Sequence, residues 1–153
     1  MRRTADVVVV GGGVIGCAVG RELARRGARV VIVERGAAGA EVTRAAAGMV
    51  APQAECEGPG PVLRLGVLSR ARYPAWVAAV QEESGVDVAY RRDGIVYAAL
   101  TGADLRVLAA RARWQRAAGL RVEPLTATRA RRLVPVLAAA VRGVFHFPDD
   151  LTC

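Results

Sequence analysis

Three glycines, Gly11, Gly13 and Gly16, stand at G-x-G-x-x-G spacing, and an acid, Glu34, follows the first of them by 23 positions. Together these residue types suit a dinucleotide. The first glycine permits a tight turn out of a strand, and the second has no Cβ, so the backbone can approach a pyrophosphate. The third lets a helix lie against a sheet. The N–H groups and positive end of a helix starting near Val14 would then face phosphate. Glu34 falls near the expected interval of about 20 residues. A carboxylate there accepts hydrogen bonds from a ribose diol and repels a 2′-phosphate, which disfavours NADP.

The flanking sequence supplies the elements that must position these groups. Val7–Val10 reads as an apolar strand running straight into the glycines. Val14, Ile15, Ala18, Val19 and Leu23 recur at helical spacing and form a stripe for burial, while Arg21, Glu22, Arg25 and Arg26 take the wet side. Gly27 is placed to stop the helix. Val30–Val33 reads as a second strand, buried on both faces as in a parallel sheet. The competing reading is a βαβ unit of some other doubly wound domain, whose glycines serve only the turn. An isolated glycine pattern would favour that alternative; strand, helix, strand and acid in order favour dinucleotide binding.

Composition narrows the rest. A length of 153 residues suits one domain or pieces of two, and 53% hydrophobic against 24% charged residues excludes a disordered chain. The net charge of +8 comes from 22 basic residues that are all arginine. They are scattered over several helices, with Arg91-Arg92 and Arg131-Arg132 as pairs and not a stripe, so no nucleic-acid partner is expected. Cys17, Cys56 and Cys153 show no metal-ligand spacing and suit a reducing compartment. His146, between Phe145 and Phe147, is expected in a strand and not in catalysis. Arg2-Arg3 before an apolar stretch imitates a secretory leader, yet that stretch, Val7 to Gly20, holds five glycines and follows Asp6. No run reaches the roughly 18–20 apolar residues of a membrane span. The expectation is a cytoplasmic chain with no membrane and no metal.

A second segment of small residues follows Glu34-Arg35-Gly36. Thr43-Arg44-Ala45-Ala46-Ala47-Gly48-Met49 opens as a short Ala-rich helix and continues into Ala51-Pro52-Gln53-Ala54-Glu55. Ala46, Ala47 and Gly48 leave room for something bulky. With the first motif, this run resembles the FAD-dependent D-amino-acid oxidase family, and within it the glycine oxidases of thiamine biosynthesis. The Ala-Gly-Met segment is the more discriminating part. Similarity continues weakly through Ser84–Asp87, Asp93–Ile95 and Phe147–Asp150. The resemblance implies FAD as cofactor. Residues matching Val14 and Ile15 would meet the pyrophosphate through their amides, and those matching Glu34 and Arg35 the adenosine ribose. Those matching Val42 and Thr43 would touch the phosphate–ribityl stretch, with Ala47, Gly48 and Met49 by the flavin ring. Val42 stands where a small hydroxyl residue is frequent, and Arg44 where serine is; neither forbids binding.

The same resemblance implies oxidative deamination of glycine or a small amine: hydride passes to flavin N5, an imine is hydrolysed, and oxygen becomes hydrogen peroxide. Its carboxylate-binding arginine and tyrosine are expected outside this sequence. Arg91 and Arg92 qualify only by charge, so no catalytic residue is assigned here.

Further along, Pro61 opens an apolar-spaced helix up to Ser84-Gly85, with Pro74 expected to kink or divide it and Trp76 expected in the core. Val86, Val88 and Tyr90 alternate, and Asp93-Gly94 offers turn chemistry before Ile95–Tyr97, which reads as a β-hairpin. Thr101 and Asp104 suggest a capping box ahead of a helix ending by Gly119, with Leu105, Leu108, Ala112 and Gln115 on one face. Thr126–Val134 reads as a short helix stopped by Pro135, and Val141–Phe147 as a strand.

The fold expected is α/β: a Rossmann-like FAD-binding βαβ unit with an incomplete parallel sheet, followed by the start of an α+β substrate-binding domain. The boundaries are residues 1–85 for the FAD-binding part and 86–153 for the beginning of the substrate-binding part. Two parallel strands do not make a stable doubly wound sheet, so the chain is expected to be an N-terminal fragment, inactive alone. The alternatives are an NAD-dependent dehydrogenase and a non-catalytic dinucleotide-binding fragment. Partners expected are a small amino acid or amine and oxygen; self-association is left open.

Overall fold

The computed structural model describes residues 4–153, so Arg2 and Arg3 of the leader-like pattern lie outside the described residues. It is a mixed α/β structure that divides into two compact units at the Ala47–Gly48 junction.

The first unit is the βαβ motif. β1 (Val7–Val10) and β2 (Val30–Val33) pair in parallel, Val7 opposite Val30 and Val10 opposite Val33. α1 (Val14–Arg25) crosses between them. Its C-terminus is a Schellman motif: Gly27, at φ +88°, donates to the Ala24 carbonyl and Ala28 donates to that of Leu23. At the open end of the strands, Asp6 accepts from the Arg29 amide at 2.8 Å and from its guanidinium, tying the start of β1 to that of β2. A single turn, α2 (Val42–Ala45), completes the unit.

Burial here differs from expectation. β2 is not covered on both faces: Val31, Ile32 and Val33 are exposed, as are Val8, Val10, Val14, Ile15 and Val19. Only Gly20 is buried in α1. Two strands and one helix have too few neighbours, among the described residues, to cover the apolar surface the sequence provides.

The second unit contains the core. α4 (Pro61–Ser84) runs as one helix through Pro74, so of the kink or division expected there, division does not occur. The lost hydrogen bond costs about 3 kcal/mol, which burial of the apolar Leu63 and Val77 along the helix offsets. Gly85, at φ +68°, caps it. Trp76 is half-buried, tilted against Tyr73 with centroids 5.6 Å apart.

A three-stranded antiparallel sheet is ordered β4 (Ile95–Ala99), β6 (Gly143–Phe147), β5 (Glu123–Leu125). The expected hairpin between Val86–Tyr90 and Ile95–Tyr97 does not form. β4 pairs instead with β6, Ile95 opposite Phe147 and Ala99 opposite Gly143. Alternation marks a strand but not its partner, and β6 brings the buried Val144, Phe145 and Phe147 to the pairing.

α5 (Gly102–Ala117) begins at the expected capping box, in which the Thr101 side chain accepts from the Asp104 amide and Asp104 returns the bond to Thr101. Its Leu108, Ala112 and Gln115 are buried against the sheet, joined by Phe145, Phe147, Val122, Ala51 and Ala54. α6 (Ala127–Leu133), capped by Thr126, lies beyond β5. The remaining pieces are β3 (Met49–Val50), α3 (Pro52–Glu55) and β7 (Leu151–Thr152). No helix of the described residues is long and apolar enough to cross a membrane.

Candidate functional site

The turn between β1 and α1 is built around contacts that only glycine permits. Gly11 has φ +105°, and its N–H donates to the Val33 carbonyl at 2.8 Å, so the turn hangs on both strands. A Cβ on Gly16 would lie 1.9 Å from the Gly11 carbonyl oxygen. That distance is far inside van der Waals contact, so the close approach of helix to turn depends on Gly16. Gly13, the residue before α1, is extended, and a Cβ there would stand 3.0 Å from the Thr43 hydroxyl.

Glu34 closes the other side. Its Oε2 accepts from the Gly12 N–H at 2.7 Å and its Oε1 from the Gly36 N–H at 3.0 Å. These amides hold the carboxyl below its ordinary pKa, Gly12 contributing most and Gly36 next, so it is an anion at neutral pH. An ionised carboxylate has about four lone-pair sites; two are used, and the others remain for hydroxyl donors such as a ribose diol. Arg35 turns to Glu41, with its Nη2 2.5 Å from Oε1, in a pair that is open to solvent and therefore worth little.

Thr43 completes the ring of polar groups. Its hydroxyl oxygen accepts from the Val14 N–H at 3.0 Å and retains one proton to donate. The first-turn amides of α1 have no intrahelical acceptor. Gly11, Gly13, Glu34, Ala37, Gly39, Ala40, Glu41, Val42 and Thr43 line one cleft of about 190 Å³. A complete small-molecule pocket measures roughly 300–1,000 Å³, so this cleft suits part of a dinucleotide and not the whole. The geometry fits the adenosine-diphosphate half of FAD: an unhindered glycine turn, amides and a hydroxyl for phosphate, and a fixed anion for ribose.

Gly11, Gly13, Glu34, Val42 and Thr43 thus share one cleft, and Val14 joins them through Thr43. Ala37, Gly39 and Ala40 come from the small, glycine-rich loop after Glu34, whereas Gly12 is not singled out by the motif. Gly12 is the amide that fixes Glu34, and its carbonyl accepts from Gly39 at 2.9 Å. The small residues at 36–40 were the available signal. Gly48 and Met49 belong to the second unit, where they begin a different arrangement. Gly48 has φ +67°, and Met49 pairs with Thr152.

That arrangement contains a buried polar network the motifs did not reveal. Asp150, Gln53 and Gln115 are fully buried, and Arg70 and Arg111 nearly so. Arg70 donates to Asp150 and, at 2.7 Å, to Gln53 Oε1; Arg111 donates to the Ala54 carbonyl. Burial pushes the Asp150 carboxyl above its ordinary value, opposed by the Ala54 amide and by Arg70. His146 lies in β6 as expected, its Nε2 3.0 Å from the Asp93 carbonyl oxygen. Among the described residues, no cluster of His, Cys, Asp and Glu could hold a metal.

The family of FAD-dependent oxidoreductases termed DAO matches residues 6–153. A glycine oxidase of Geobacillus kaustophilus is 38% identical over 151 residues, 98% of this chain and 40% of the relative. A bifunctional ThiO/ThiG protein of Synechocystis is 42% identical over 98 residues, 63% of this chain and 15% of the relative. The crystal structure of the Geobacillus kaustophilus glycine oxidase superposes with a TM-score of 0.92 at 37% identity, covering 97% of this chain and 40% of that one. This chain therefore spans about 40% of the length of the glycine oxidases it matches. Its matched span of 148 residues is nearly the whole chain: the protein belongs to the DAO family of FAD-dependent oxidoreductases.

Proposed function

We propose that this chain forms the adenosine-diphosphate-binding portion of a glycine oxidase-like flavoenzyme that oxidises glycine or another small amino acid or amine. What carries the reading is the Glu34 carboxylate, fixed by Gly12 and Gly36 amides beside a turn that tolerates no side chain at Gly16. The identity of 38% to a glycine oxidase and the similarity to ThiO/ThiG proteins support the substrate class and a role in thiamine biosynthesis.

In this reading the amides of Val14 and Ile15, with the Thr43 hydroxyl, hold the pyrophosphate. Glu34 accepts from the ribose hydroxyls, with Arg35 alongside, and Gly11, Gly13 and Gly16 keep the approach clear. Val42 covers the phosphate–ribityl stretch; Ala47, Gly48 and Met49 meet the flavin ring. When bound there, FAD would supply the two-electron redox chemistry for oxidising the substrate carbon–hydrogen bond, with oxygen as the final acceptor. This chain's residues bind and orient; none is assigned to proton transfer. Residues 1–85 serve the cofactor and 86–153 open the substrate-binding part, a functional division that differs from the compact-unit junction at Ala47–Gly48. The protein works in the cytoplasm, on a small amino acid or amine and oxygen.

The test is the visible spectrum of this chain purified with FAD, followed by a peroxidase-coupled assay of the full-length flavoenzyme that contains it, with glycine and sarcosine. Flavin bands and glycine-dependent peroxide support the reading. A colourless protein that binds NAD would overturn it in favour of a dehydrogenase.

A further inference from the structure

We propose that Asp150, together with Arg70, is a positioning residue for the segment Gly48–Glu55, whose first residues meet the flavin ring in the reading above. The inference rests on that reading and extends it to residues that touch no cofactor.

The segment has almost no means of holding itself. β3 is two residues long and α3 a single turn, too short to persist alone. Ala51, which precedes α3, offers no side-chain cap. The cap comes instead from Asp150, 96 positions away: its Oδ2 accepts from the Ala54 N–H at 2.9 Å, and its Oδ1 from the Gln53 N–H at 3.4 Å. Arg70, on α4, neutralises that carboxylate and donates to the Gln53 side chain. Gln53 Nε2 donates to the Arg121 carbonyl at 2.9 Å, and Gln115 Nε2 to the Gln53 carbonyl at 2.7 Å.

The chain next to Asp150 completes the support. Met49 pairs with Thr152 and Val50 with Leu151, while the Cys153 N–H donates to the Gly48 carbonyl at 2.9 Å. A Cβ on Gly48 would lie 1.8 Å from the Cys153 carbonyl oxygen, so the two backbones are in direct contact. One short stretch, 150–153, therefore grips both β3 and α3. A buried ion pair with these connections specifies a conformation more than it adds stability, because desolvation offsets much of its attraction.

The experiment compares the FAD-loaded full-length flavoenzyme that contains this chain as wild type, Asp150→Asn and Arg70→Lys, with Val144→Ala, buried but outside the cluster of Ala51 and Ala54, as a core control. Asp150→Asn keeps the shape but sets an amide opposite Arg70 and the Ala54 N–H. The readouts are visible circular dichroism of the bound flavin, iodide quenching of its fluorescence, and kcat against KM. The expected result is altered flavin dichroism, greater iodide access, and kcat lower by up to about 100-fold with little change in KM. Val144→Ala should lower the melting temperature and leave the flavin signals as in wild type. If Asp150→Asn does not fold, Arg70→Lys carries the test with the same expected signature. Wild-type flavin signals in the folded variants would overturn the proposal while leaving the FAD reading intact. A wild-type protein without flavin would overturn both.

Discussion

Replacing Gly16 with alanine is the sharpest perturbation of the glycine turn. The added Cβ would sit 1.9 Å from the Gly11 carbonyl oxygen and 3.1 Å from its carbonyl carbon. These atoms are backbone, and the Gly11 N–H is bonded to Val33 at 2.8 Å, so neither side can yield by rotating a side chain. Relief requires α1 to move away from the turn by about an ångström, carrying the amides of Val14 and Ile15 with it. Forced repacking of this kind costs about 1–3 kcal/mol. Because 1.4 kcal/mol is tenfold in an equilibrium constant, the FAD dissociation constant should rise by about 5- to 150-fold if the strain falls wholly on the bound state. Flavin fluorescence quenching titrates this directly. Gly58→Ala, away from the cleft, is the matched control, since nothing lies within 4 Å of its new methyl; it should bind FAD as wild type does. Equal affinity for the Gly16→Ala and wild-type proteins would refute the claim that close helix–turn approach makes the site.

Other perturbations test separate links. Glu34→Gln should weaken FAD binding, read by the same titration. The Glu34 carboxyl is held below its ordinary value in the folded protein, so its contribution is present above the unfolded value and lost as pH falls through the depressed one. FAD retention should therefore persist through the usual carboxylate range and fail at more acid pH, a loss that Glu34→Gln removes. Thr101→Ala breaks the capping box and should cost about 1 kcal/mol of stability in thermal melts, with FAD affinity unchanged. Phe147→Ala, at a fully buried core position, should cost about 3–5 kcal/mol and is read by urea unfolding.

The elements governed by local rules were legible in the sequence. The span of α1 follows from Gly13 before it and Gly27 after it, that of α5 from Thr101 and Asp104, and that of α6 from Thr126. The glycine turn and Glu34 were legible for the same reason: tight turns and backbone-bound carboxylates need particular residue types at fixed offsets. Features that depend on distant partners were not. Alternation at Val86–Tyr90 carried no information that β6 would take β4 instead. Pro74 was weighed by its local penalty, without the burial along α4 that overrides it. Asp150 stands in a polar-looking Pro-Asp-Asp turn, and nothing near it in sequence announces the Ala54 amide it caps. Apolar residues of β1 and β2 announced burial that the described residues alone do not provide.

The proposed function turns on the cleft beside Glu34 and the glycine turn gripping the adenosine-diphosphate half of the cofactor. Competition against bound FAD separates its two halves. ADP should displace FAD in proportion to concentration, FMN should compete far less, and Gly16→Ala should blunt displacement by ADP. Displacement by FMN alone, with ADP inert, would contradict it.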